Sequence, residues 1–450
     1  MADPATSAAS ASDRLWQRAQ GHLPGGVTAS ARIHAALGRP FLAARAAGGR
    51  IWDVDGREFI DLNMSFGASM LGHGHPAIVA AVARATELGI MCGYETEFQT
   101  RLAERLADVI PSAELVRFAG SGTETTWHAL RTAKVATGRT LVVKFEGHFH
   151  GFNDTLGYSF WPSRVQAGPA DAPRTVPESG GMPAPIADQT IVLPWNDPAA
   201  LEAVFDAHGA DIAAVVMEPV NIDSGTIRPL PGYLETARAL TRRHGAVLIF
   251  DEILCGFRTN IGGAQSEYGV TPDLTTLGKT LGGGTALSAF VGSREVMSAV
   301  APLGRAVHSG TYNAHLIPIM AGLAFLDQAT DPAFYPALRE LEAMFYPELQ
   351  AVFERAGLPV RVQPGGARFS LLFGLDREPV RYRDILGHDT ATATRFYGLA
   401  LEEGVYFHAS WHHGFSAMHT RADLTEALER IERAVRRLAS TAPQAASAGG

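Results

Sequence analysis

Cysteine is scarce in this sequence, and the features that mark several other protein classes are missing. Only Cys92 and Cys255 occur among 450 residues, so no disulfide framework is expected, and two free thiols are typical of a reducing cytosol. No run of about 18 apolar residues is present, so no membrane span is expected. The opening segment MADPATSAASASD has neither a basic nor an apolar region, so we expect no secretory signal there.

Charge is modest and carries no concentrated basic region. Charged residues make up 19% of the chain, apolar residues make up 46%, and the formal net charge is −8. This composition is ordinary for a soluble globular enzyme, and it argues against a nucleic-acid surface. We therefore predict a cytoplasmic enzyme that binds neither nucleic acid nor membrane and is long enough for two or three domains.

The middle of the chain alternates between predicted strands and helices. Between residues 115 and 292 the apolar runs predict buried strands at 115–119, 140–145, 212–219 and 246–252, with amphipathic or alanine-rich helices between them. Such alternation is typical of an α/β fold whose mostly parallel sheet carries helices on both faces. The segment 157–190 is rich in Pro, Gly, Ala and Ser, and we interpret it as a functional or mobile loop.

The two ends of the chain have different patterns from the middle. Residues 48–62 predict a β-hairpin that turns at Asp55-Gly56, whereas helices at 316–328, 332–356 and 422–439 and a strand at 368–375 predict a smaller α+β region. We expect a large domain at 71–312 and a small domain that combines 13–70 with 313–440. Residues 1–12 and 441–450 are expected to be disordered.

Unusual polar residues follow the predicted strands. They are Ser121-Gly122-Thr123, the Glu146 to His150 stretch, Glu218, Asp251-Glu252 and Lys279. In an α/β sheet, ligands bind beyond the carboxyl ends of the strands. The convergence of these groups at one edge therefore predicts a binding site.

Lys279 lies in the segment GVTPDLTTLGKTLGGG, residues 269–284, directly before three glycines. Lysine is rarely buried unless a partner or a chemistry requires it. Asp251 comes at the end of the apolar run AVLIF, where it could also be a structural carboxylate. We hypothesise that Lys279 forms a Schiff base with pyridoxal phosphate and that Asp251 keeps the pyridine nitrogen protonated.

The segment GSGTET, residues 120–125, follows a strand and opens a helix. Free backbone N–H groups and the helix dipole favour a phosphate at such a position, although a simple N-cap by Ser121 or Thr123 is the alternative. Phe149 could stack on one face of a cofactor ring, and Ile253 could pack on the other because it points to the same side as Asp251. Core packing is the alternative for both residues.

Histidine pairs occur at His73 and His75 and at His148 and His150. Neither pair has a second ligand cluster at zinc spacing, so no metal is predicted. Trp411 and His412 form a mixed aromatic and basic patch that could line a substrate pocket or lie at the surface.

Nine motifs in order resemble the class III aminotransferases of pyridoxal-phosphate fold type I, over roughly residues 14–440. They are LPGGVTASAR, DVDGREFIDL, LGHGHP, RFAGSGTETT, KFEGHFHG, VVMEPV, GAVLIFDEILCGFR, GVTPDLTTLGKTLGGG and HSGT. Within the family the chain is most similar to the group that contains glutamate-1-semialdehyde aminomutase and D-phenylglycine aminotransferase. The resemblance implies a large domain with a seven-stranded type of sheet, a small α+β domain and a homodimer with shared active sites.

The resemblance also implies roles for individual residues. Lys279 matches the Schiff-base lysine, Asp251 the pyridinium partner, and Thr311 a threonine that reaches the phosphate across the dimer interface. Arg32 matches the arginine that binds the substrate carboxylate, for which a planar guanidinium is well suited; a solvated loop arginine is the alternative. The other implied cofactor contacts are Ser121, Gly122, Thr123, Phe149, His150, Glu218 and Ile253, and the substrate candidates are Trp161, Trp411 and His412.

Two segments depart from the family pattern. After Thr311 the chain reads YNAHLIP instead of running on to Gly-Asn-Pro, and the C-terminal SWHHGF lacks the glutamate of the aminomutases. We therefore predict an aminotransferase with ping-pong kinetics that acts on an amino donor with a carboxylate. An intramolecular aminomutase, a racemase or decarboxylase on the same fold, and a non-catalytic scaffold are the alternatives.

Overall fold

The computed structural model describes residues 10–408 and 412–440. The strands, numbered along the chain, are β1 Ile33–His34, β2 Arg39–Pro40, β3 Ala43–Ala47, β4 Arg50–Asp53, β5 Glu58–Asp61, β6 Leu115–Ala119, β7 Leu141–Phe145, β8 Thr190–Leu193, β9 Ile212–Met217, β10 Val247–Glu252, β11 Leu274–Leu277, β12 Ser288–Gly292, β13 Val360–Gly365, β14 Arg368–Phe373, β15 Val405–Tyr406 and β16 His413–Gly414. The helices are α1 Ala11–Gln20, α2 Pro76–Glu87, α3 Glu97–Val109, α4 Gly122–Thr137, α5 Arg164–Ala167, α6 Ala184–Ala187, α7 Pro198–His208, α8 Tyr233–His244, α9 Gly263–Tyr268, α10 Arg294–Met297, α11 Leu316–Ala329, α12 Phe334–Arg355, α13 Tyr382–Ile385, α14 Thr390–Glu402 and α15 Arg421–Ser440.

A seven-stranded sheet in the order β6-β12-β11-β10-β9-β7-β8 forms the centre of the molecule. The strand β12 runs antiparallel to both of its neighbours, and the other neighbouring pairs are parallel. The two central strands β9 and β10 are buried along their whole length, which explains why they are nearly continuous apolar runs. The predicted α/β fold is confirmed.

Alternation along β10 assigns its side chains to the two faces of the sheet. Val247 and Ile249 pack with α4 on one face, whereas Leu248 and Phe250 pack with α7 and α8 on the other. Because side chains alternate along a strand, Asp251 points to the face that carries α4. This alternation therefore places the Asp251 carboxylate on the same side of the sheet as α4, the helix whose N-terminus was predicted to hold a phosphate.

The N-terminal and C-terminal segments share one secondary sheet and one core. The predicted hairpin is β4 and β5, and its turn contains Gly56 with φ 87°. The strand β15 from the C-terminal segment pairs parallel with β5, in the sheet order β15-β5-β4-β3. The strands β13, β14 and β16 form a separate three-stranded sheet, and α12, α14 and α15 complete the core on these strands.

Disorder over residues 1–12 was too broad a prediction. Ser10 caps α1 by accepting a hydrogen bond from the Asp13 N–H, and the backbone N–H of Ala11 donates to the Asp55 carboxylate at 2.7 Å. This long-range contact with the hairpin turn holds the start of the helix. Residues 1–9 and 441–450, which complete the predicted disordered ends, and Trp411 lie outside the described residues.

The segment 157–190 contains two short helices, α5 and α6, and is fastened to the rest of the molecule. Arg383 at α13 donates to the carbonyls of Ala167, Gly168 and Pro169. Glu178 accepts hydrogen bonds from the backbone of Phe160 at 2.6 Å and Trp161 at 3.2 Å. Across the part of the chain that the structure describes, no helix has the length and apolarity needed to cross a bilayer.

Candidate active site

A cavity of about 280 Å³ opens at the carboxyl ends of the central strands. It collects nine of the residues predicted from the sequence: Ser121, Gly122, Thr123, Phe149, His150, Glu218, Asp251, Ile253 and Lys279. The other lining residues are Gly120, Thr126, Gly151, Asp223, Leu254, Thr285, Ala286 and Leu287. These groups come from five different strand ends, as expected for a ligand site at the edge of an α/β sheet.

Lys279 follows β11 and begins a short 3₁₀ turn, Lys279–Gly282. Its φ of 42° is a left-handed conformation that non-glycine residues adopt at some cost, and such conformations cluster at functional sites. Burial lowers the pKa of the Lys279 amine, and the nearby Asp223 carboxylate partly offsets this effect. Burial therefore increases the fraction of the neutral amine, which is the form that acts as nucleophile or base.

Asp251 is held by three hydrogen-bond donors. Its Oδ1 accepts from the Thr276 hydroxyl at 2.9 Å and from the Ile253 N–H at 3.1 Å, and its Oδ2 lies 2.7 Å from His150 Nδ1. Burial is the main reason why the pKa of His150 is lowered, so a neutral imidazole donates its Nδ1–H to the carboxylate. Together these three donors fix the orientation of the Asp251 carboxyl group.

The N-terminus of α4 forms another wall of the cavity. Ser121 caps this helix by accepting a hydrogen bond from the Glu124 N–H at 3.2 Å. The first N–H groups of a helix have no partner inside the helix and favour an anion. Gly151 has φ 83°, and a Cβ there would come within 2.4 Å of Thr123 Oγ1. The loop after β7 can therefore approach the helix N-terminus only with glycine at this position.

Phe149 and Ile253 line the same cavity, and Glu218 holds Phe149 in place. The Glu218 carboxyl accepts a hydrogen bond from the Phe149 backbone N–H at 2.9 Å. Burial raises the pKa of Glu218 well above its ordinary value. A Cβ at Gly278 would lie 2.9 Å from Ile253 Cδ1, which shows how closely the backbone that carries Lys279 packs against Ile253.

These residues fit pyridoxal phosphate by the chemistry of their groups. The N-terminus of α4 suits a phosphate, an ionised carboxylate suits a protonated ring nitrogen, and Phe149 and Ile253 supply flat and branched apolar surfaces for a ring. Lys279 supplies a partly desolvated amine in the same cavity. The site can thus hold an anionic aromatic aldehyde by its phosphate, its ring nitrogen and its carbonyl carbon at once.

Four other predicted residues lie outside the cavity wall. Arg32 is exposed and donates to Thr28 Oγ1 at 2.7 Å, and Thr311 is exposed on the loop before α11. Trp161 stacks on Phe149 with ring centroids 5.6 Å apart and planes 7° apart. His412 is buried behind Asp223, with Nε2 3.1 Å from Asp223 Oδ1, so it is neither a surface residue nor part of the cavity lining.

Several residues around the site were missed by the sequence analysis. Thr276 pairs with Asp251 in the parallel register of β10 and β11, so a correct strand alignment would have found it. Asp223 lines the cavity five residues after Glu218, and its polar character after a strand was the available signal. Arg368 reaches His412 from β14, and no pattern in the sequence indicates this contact.

Glu124, His128 and His308 have potential ligand atoms within 4.8 Å of one another. Spacing along the sequence did not indicate this cluster, because His308 comes from a distant loop. Hydrogen bonds account for its arrangement. The Asn313 amide donates to Glu124 Oε1 at 2.7 Å and lies 3.3 Å from His308 Nε2, while the Gly120 N–H donates to Glu124 Oε2.

Comparison with known proteins identifies the family. The model of the family "Aminotransferase class-III" matches residues 33–440. The chain belongs to the class III aminotransferases, and the predicted family is confirmed. Because enzymes of this class use pyridoxal phosphate, the protein is a pyridoxal-phosphate-dependent transaminase with the fold-type-I architecture.

Three of the solved structures that are similar to this chain are named for an activity. An omega-transaminase from Sphaerobacter thermophilus is 33% identical, with a TM-score of 0.91 over 96% of this chain and 98% of that one. A β-phenylalanine aminotransferase from Variovorax paradoxus is 29% identical, with a TM-score of 0.82 over 94% and 93%. A glutamate-1-semialdehyde-aminomutase from Pseudomonas aeruginosa PAO1 is 24% identical, with a TM-score of 0.85 over 94% of each chain, and it supports the fold alone.

Proposed function

We propose that this enzyme moves an amino group from a carboxylate-bearing amino donor to an oxo acid by a ping-pong mechanism in which Lys279 holds the cofactor as a Schiff base. The observation that carries this proposal is the convergence of Lys279, Asp251 and the N-terminus of α4 around one cavity. The bound cofactor supplies an electron sink for the carbon that carries the amine. The protein must then anchor that sink, keep it protonated and move one proton.

Lys279 performs two of these tasks. Its amine would hold the cofactor, and its Nζ would accept the proton that leaves the donor carbon and later return it. Asp251 performs the third task, because its ionised carboxylate stabilises a positive charge on the ring nitrogen. Phe149 and Ile253 keep the ring between two apolar surfaces, and Glu218 fixes the backbone of Phe149.

Arg32 is proposed as the group that binds the donor carboxylate. The 3₁₀ turn Ser30–Arg32 is fastened to the C-terminal segment, because His408 Nε2 lies 2.7 Å from the Ala31 carbonyl oxygen and His34 Nε2 lies 2.8 Å from the Phe407 carbonyl oxygen. An exposed guanidinium on an anchored turn can meet an incoming carboxylate with two parallel hydrogen bonds.

Aromatic side chains support a donor with an aromatic or other bulky side chain. Phe149 stacks on Trp161 and contacts Phe160 and Phe152 edge-on, with ring centroids 4.8 and 5.3 Å away. Phe152 and Trp161 are both exposed. Because a similar protein is named for β-phenylalanine, aromatic β-amino acids belong in the first panel of donors.

A homodimer with shared active sites is the second part of the proposal. Thr311 is exposed and is absent from the cavity of its own chain. The exposed apolar side chains of Leu303, Val307 and Tyr312 lie on the same stretch of chain. A second copy that covers this stretch would bury apolar surface and bring its own Thr311 to the phosphate site.

The test is the stoichiometry of the first half-reaction. Holoenzyme is mixed with single amino acids from an α- and β-amino acid panel, with and without 2-oxoglutarate. The proposal predicts one equivalent of oxo acid per site without the acceptor and continuous turnover with it. An isomer without oxo acid would indicate the aminomutase, inversion the racemase, and carbon dioxide the decarboxylase, and each of these results would overturn the proposal.

Lys279→Ala provides the residue-level test. This variant should lose the visible absorbance of the lysine-bound cofactor and its turnover, while an Arg131→Ala variant on the far part of α4 should retain both. Turnover by the Lys279→Ala enzyme at the wild-type rate would contradict the proposed role of the amine.

A further inference from the structure

Three polar side chains contact one another in series, from the interior of the small domain to the cavity. Arg368 on β14 is buried, and its guanidinium contacts His412 Nδ1 and donates to the Asn63 carbonyl at 2.9 Å. His412 is also buried, and its Nε2 lies 3.1 Å from Asp223 Oδ1. Asp223 in turn lines the cavity together with Lys279.

The direction of these two hydrogen bonds follows from which atoms can donate a proton. A guanidinium can only donate, so Nδ1 of His412 must accept and its proton must lie on Nε2. Nε2–H then donates to Asp223. Burial, followed by the charge of Arg368, lowers the pKa of His412 to about 3, so the imidazole is neutral at physiological pH. Burial raises the pKa of Asp223, but the bond from His412 and nearby cations outweigh it and hold that pKa below its ordinary value.

The other titratable and charged groups near Lys279 have hydrogen-bond partners of their own. Burial raises the pKa of Glu218, and its carboxyl group accepts from the Phe149 N–H, while Asp251 is held by the three donors described above. Arg258 donates to the Gly67 carbonyl at 2.7 Å, and Arg368 donates to Asn63 and His412. Both guanidinium groups lie behind the cavity wall, and both lower the pKa of Lys279.

We propose that Asp223 is the counter-ion of the Lys279 amine, and that His412 and Arg368 hold its carboxylate in place as an anion. This inference rests on the proposed role of Lys279 and adds a tuning group to it. Desolvation and the two nearby arginines both disfavour the charged form of this amine, so that it accepts a proton only at a cost. An anion in the same cavity stabilises the ammonium form, so that one amine can first take the proton and then return it.

The test uses the holoenzyme and a pH titration. The visible absorbance of the bound cofactor changes when the nitrogen of Lys279 loses its proton, and the pH profile of kcat/KM reports the same group in the free enzyme. Asp223→Asn keeps the shape and the acceptor oxygen but removes the charge. The midpoint of the absorbance titration and the midpoint of the kcat/KM profile should both fall by about one pH unit. This is the low end of the pKa shift that an adjacent opposite charge causes.

Asp206→Asn is the matched control, because Asp206 is exposed on α7 and its replacement changes the net charge by the same amount. Its midpoints should equal those of the wild type. If Asp223 only shapes its loop, the Asp223→Asn midpoints will also equal the wild-type values, and the inference is overturned. A thermal unfolding curve for each variant shows that the comparison is between folded proteins.

Two replacements of His412 test the relay. A glutamine side chain can accept from Arg368 through its oxygen and donate to Asp223 through its nitrogen, so His412→Gln should keep the wild-type midpoints. His412→Phe cannot do either, and its midpoints should move in the direction of Asp223→Asn. Equal midpoints for the two His412 variants would overturn the relay, even if Asp223→Asn behaves as expected.

The result also separates this inference from the proposed function. A wild-type protein that shows no lysine-bound cofactor absorbance contradicts the proposed function itself. Wild-type absorbance and turnover together with unshifted Asp223→Asn midpoints contradict only the role of Asp223.

Discussion

Three hydrogen bonds fix the orientation of the Asp251 carboxyl group. Each donor comes from a different element: Thr276 from β11, His150 from the loop after β7, and Ile253 from the loop after β10 itself. The carboxylate cannot rotate without breaking one of these bonds. It is therefore oriented before any ligand binds, which is the arrangement that makes a fixed charge effective in catalysis.

Asp251→Asn should lower kcat by about 10²–10³-fold, the size expected when a preorganised electrostatic partner is lost. The amide cannot stabilise a positive charge on the ring nitrogen, although it fits the same space. Single-turnover rates with a saturating donor measure the effect. Thr276→Val, which removes one of the three donors and leaves the charge, should lower the rate much less, and equal losses in the two variants would contradict this explanation.

Gly151 is a residue whose lack of a side chain matters for the cofactor. Gly151→Ala places a Cβ within 2.4 Å of Thr123 Oγ1 and 2.7 Å of Thr123 Cα, so the first turn of α4 must move. We expect cofactor affinity to fall at least about tenfold, which is about 1.4 kcal/mol, in a titration of apoenzyme with pyridoxal phosphate.

Gly138→Ala is the control for Gly151→Ala. Gly138 ends the same helix with φ 70° and has nothing near its Cβ position. This variant should lose about 1 kcal/mol of stability through backbone strain and keep its cofactor affinity. Weakened binding in Gly138→Ala would show that strain in α4, rather than the contact with Thr123, controls the phosphate site.

The segment between β7 and β8 is joined to α13 by polar contacts. Arg383 Nε donates to Glu146 at 2.6 Å, and the rest of its guanidinium holds carbonyl groups of residues 167–169. Lys144, which is fully buried, donates to the His148 and Tyr158 carbonyls. The composition of residues 157–190 predicted a functional or mobile loop, and the contacts of Arg383 tie this segment to the C-terminal part of the chain.

Arg383→Gln should increase amide hydrogen exchange in residues 157–178 by about tenfold or more, because it leaves Glu146 buried without its cation and frees three carbonyls. Mass spectrometry of proteolytic peptides resolves this segment. Arg377→Gln is the control, because the Arg377 side chain is 80% exposed and lies 3.6 Å from Asp384. Unchanged exchange in Arg383→Gln would mean that other contacts hold the segment.

The protein buries many ionisable groups, and burial lowers the pKa of some of them and raises the pKa of others. Burial lowers the pKa of His408 and His419 to about 4, and it raises the pKa of Glu252 and Glu342 to about 7. As the pH falls below 6.5, these histidines bind protons in the unfolded state but not in the native state, so the free energy of unfolding decreases. The glutamates act in the opposite direction because their native forms bind the proton first. The net pH profile is therefore flatter than either group alone would produce.

A difference measurement isolates one histidine. The stability of the wild type relative to His419→Asn should decrease as the pH falls from 6.5 to 4, by roughly 3 kcal/mol in total, since only the wild type must keep a buried neutral imidazole. Urea unfolding at several pH values measures it. An exposed control, His22→Gln, should show no such pH dependence, and a pH-independent difference for His419→Asn would contradict the assigned cause.

The cofactor and the mostly parallel sheet could both be predicted from the sequence. Lys279 before three glycines, Asp251 after a buried strand and GSGTET between a strand and a helix are local patterns, and each follows from backbone requirements within a few residues. The rule that ligands bind beyond the carboxyl ends of strands then predicted their convergence. Nine predicted residues therefore line one cavity.

The surroundings of these residues depend on contacts between distant parts of the chain. Thr276 holds Asp251 because two strands pair in a particular register, and Arg368, His412 and Asp223 meet although they come from three distant segments. The same packing put His412 behind the cavity wall, tied down the segment after β7 and ordered residues 10–12 through Asp55. Such contacts depend on the summed packing of the whole chain, and no pattern in a short stretch of sequence carries that information.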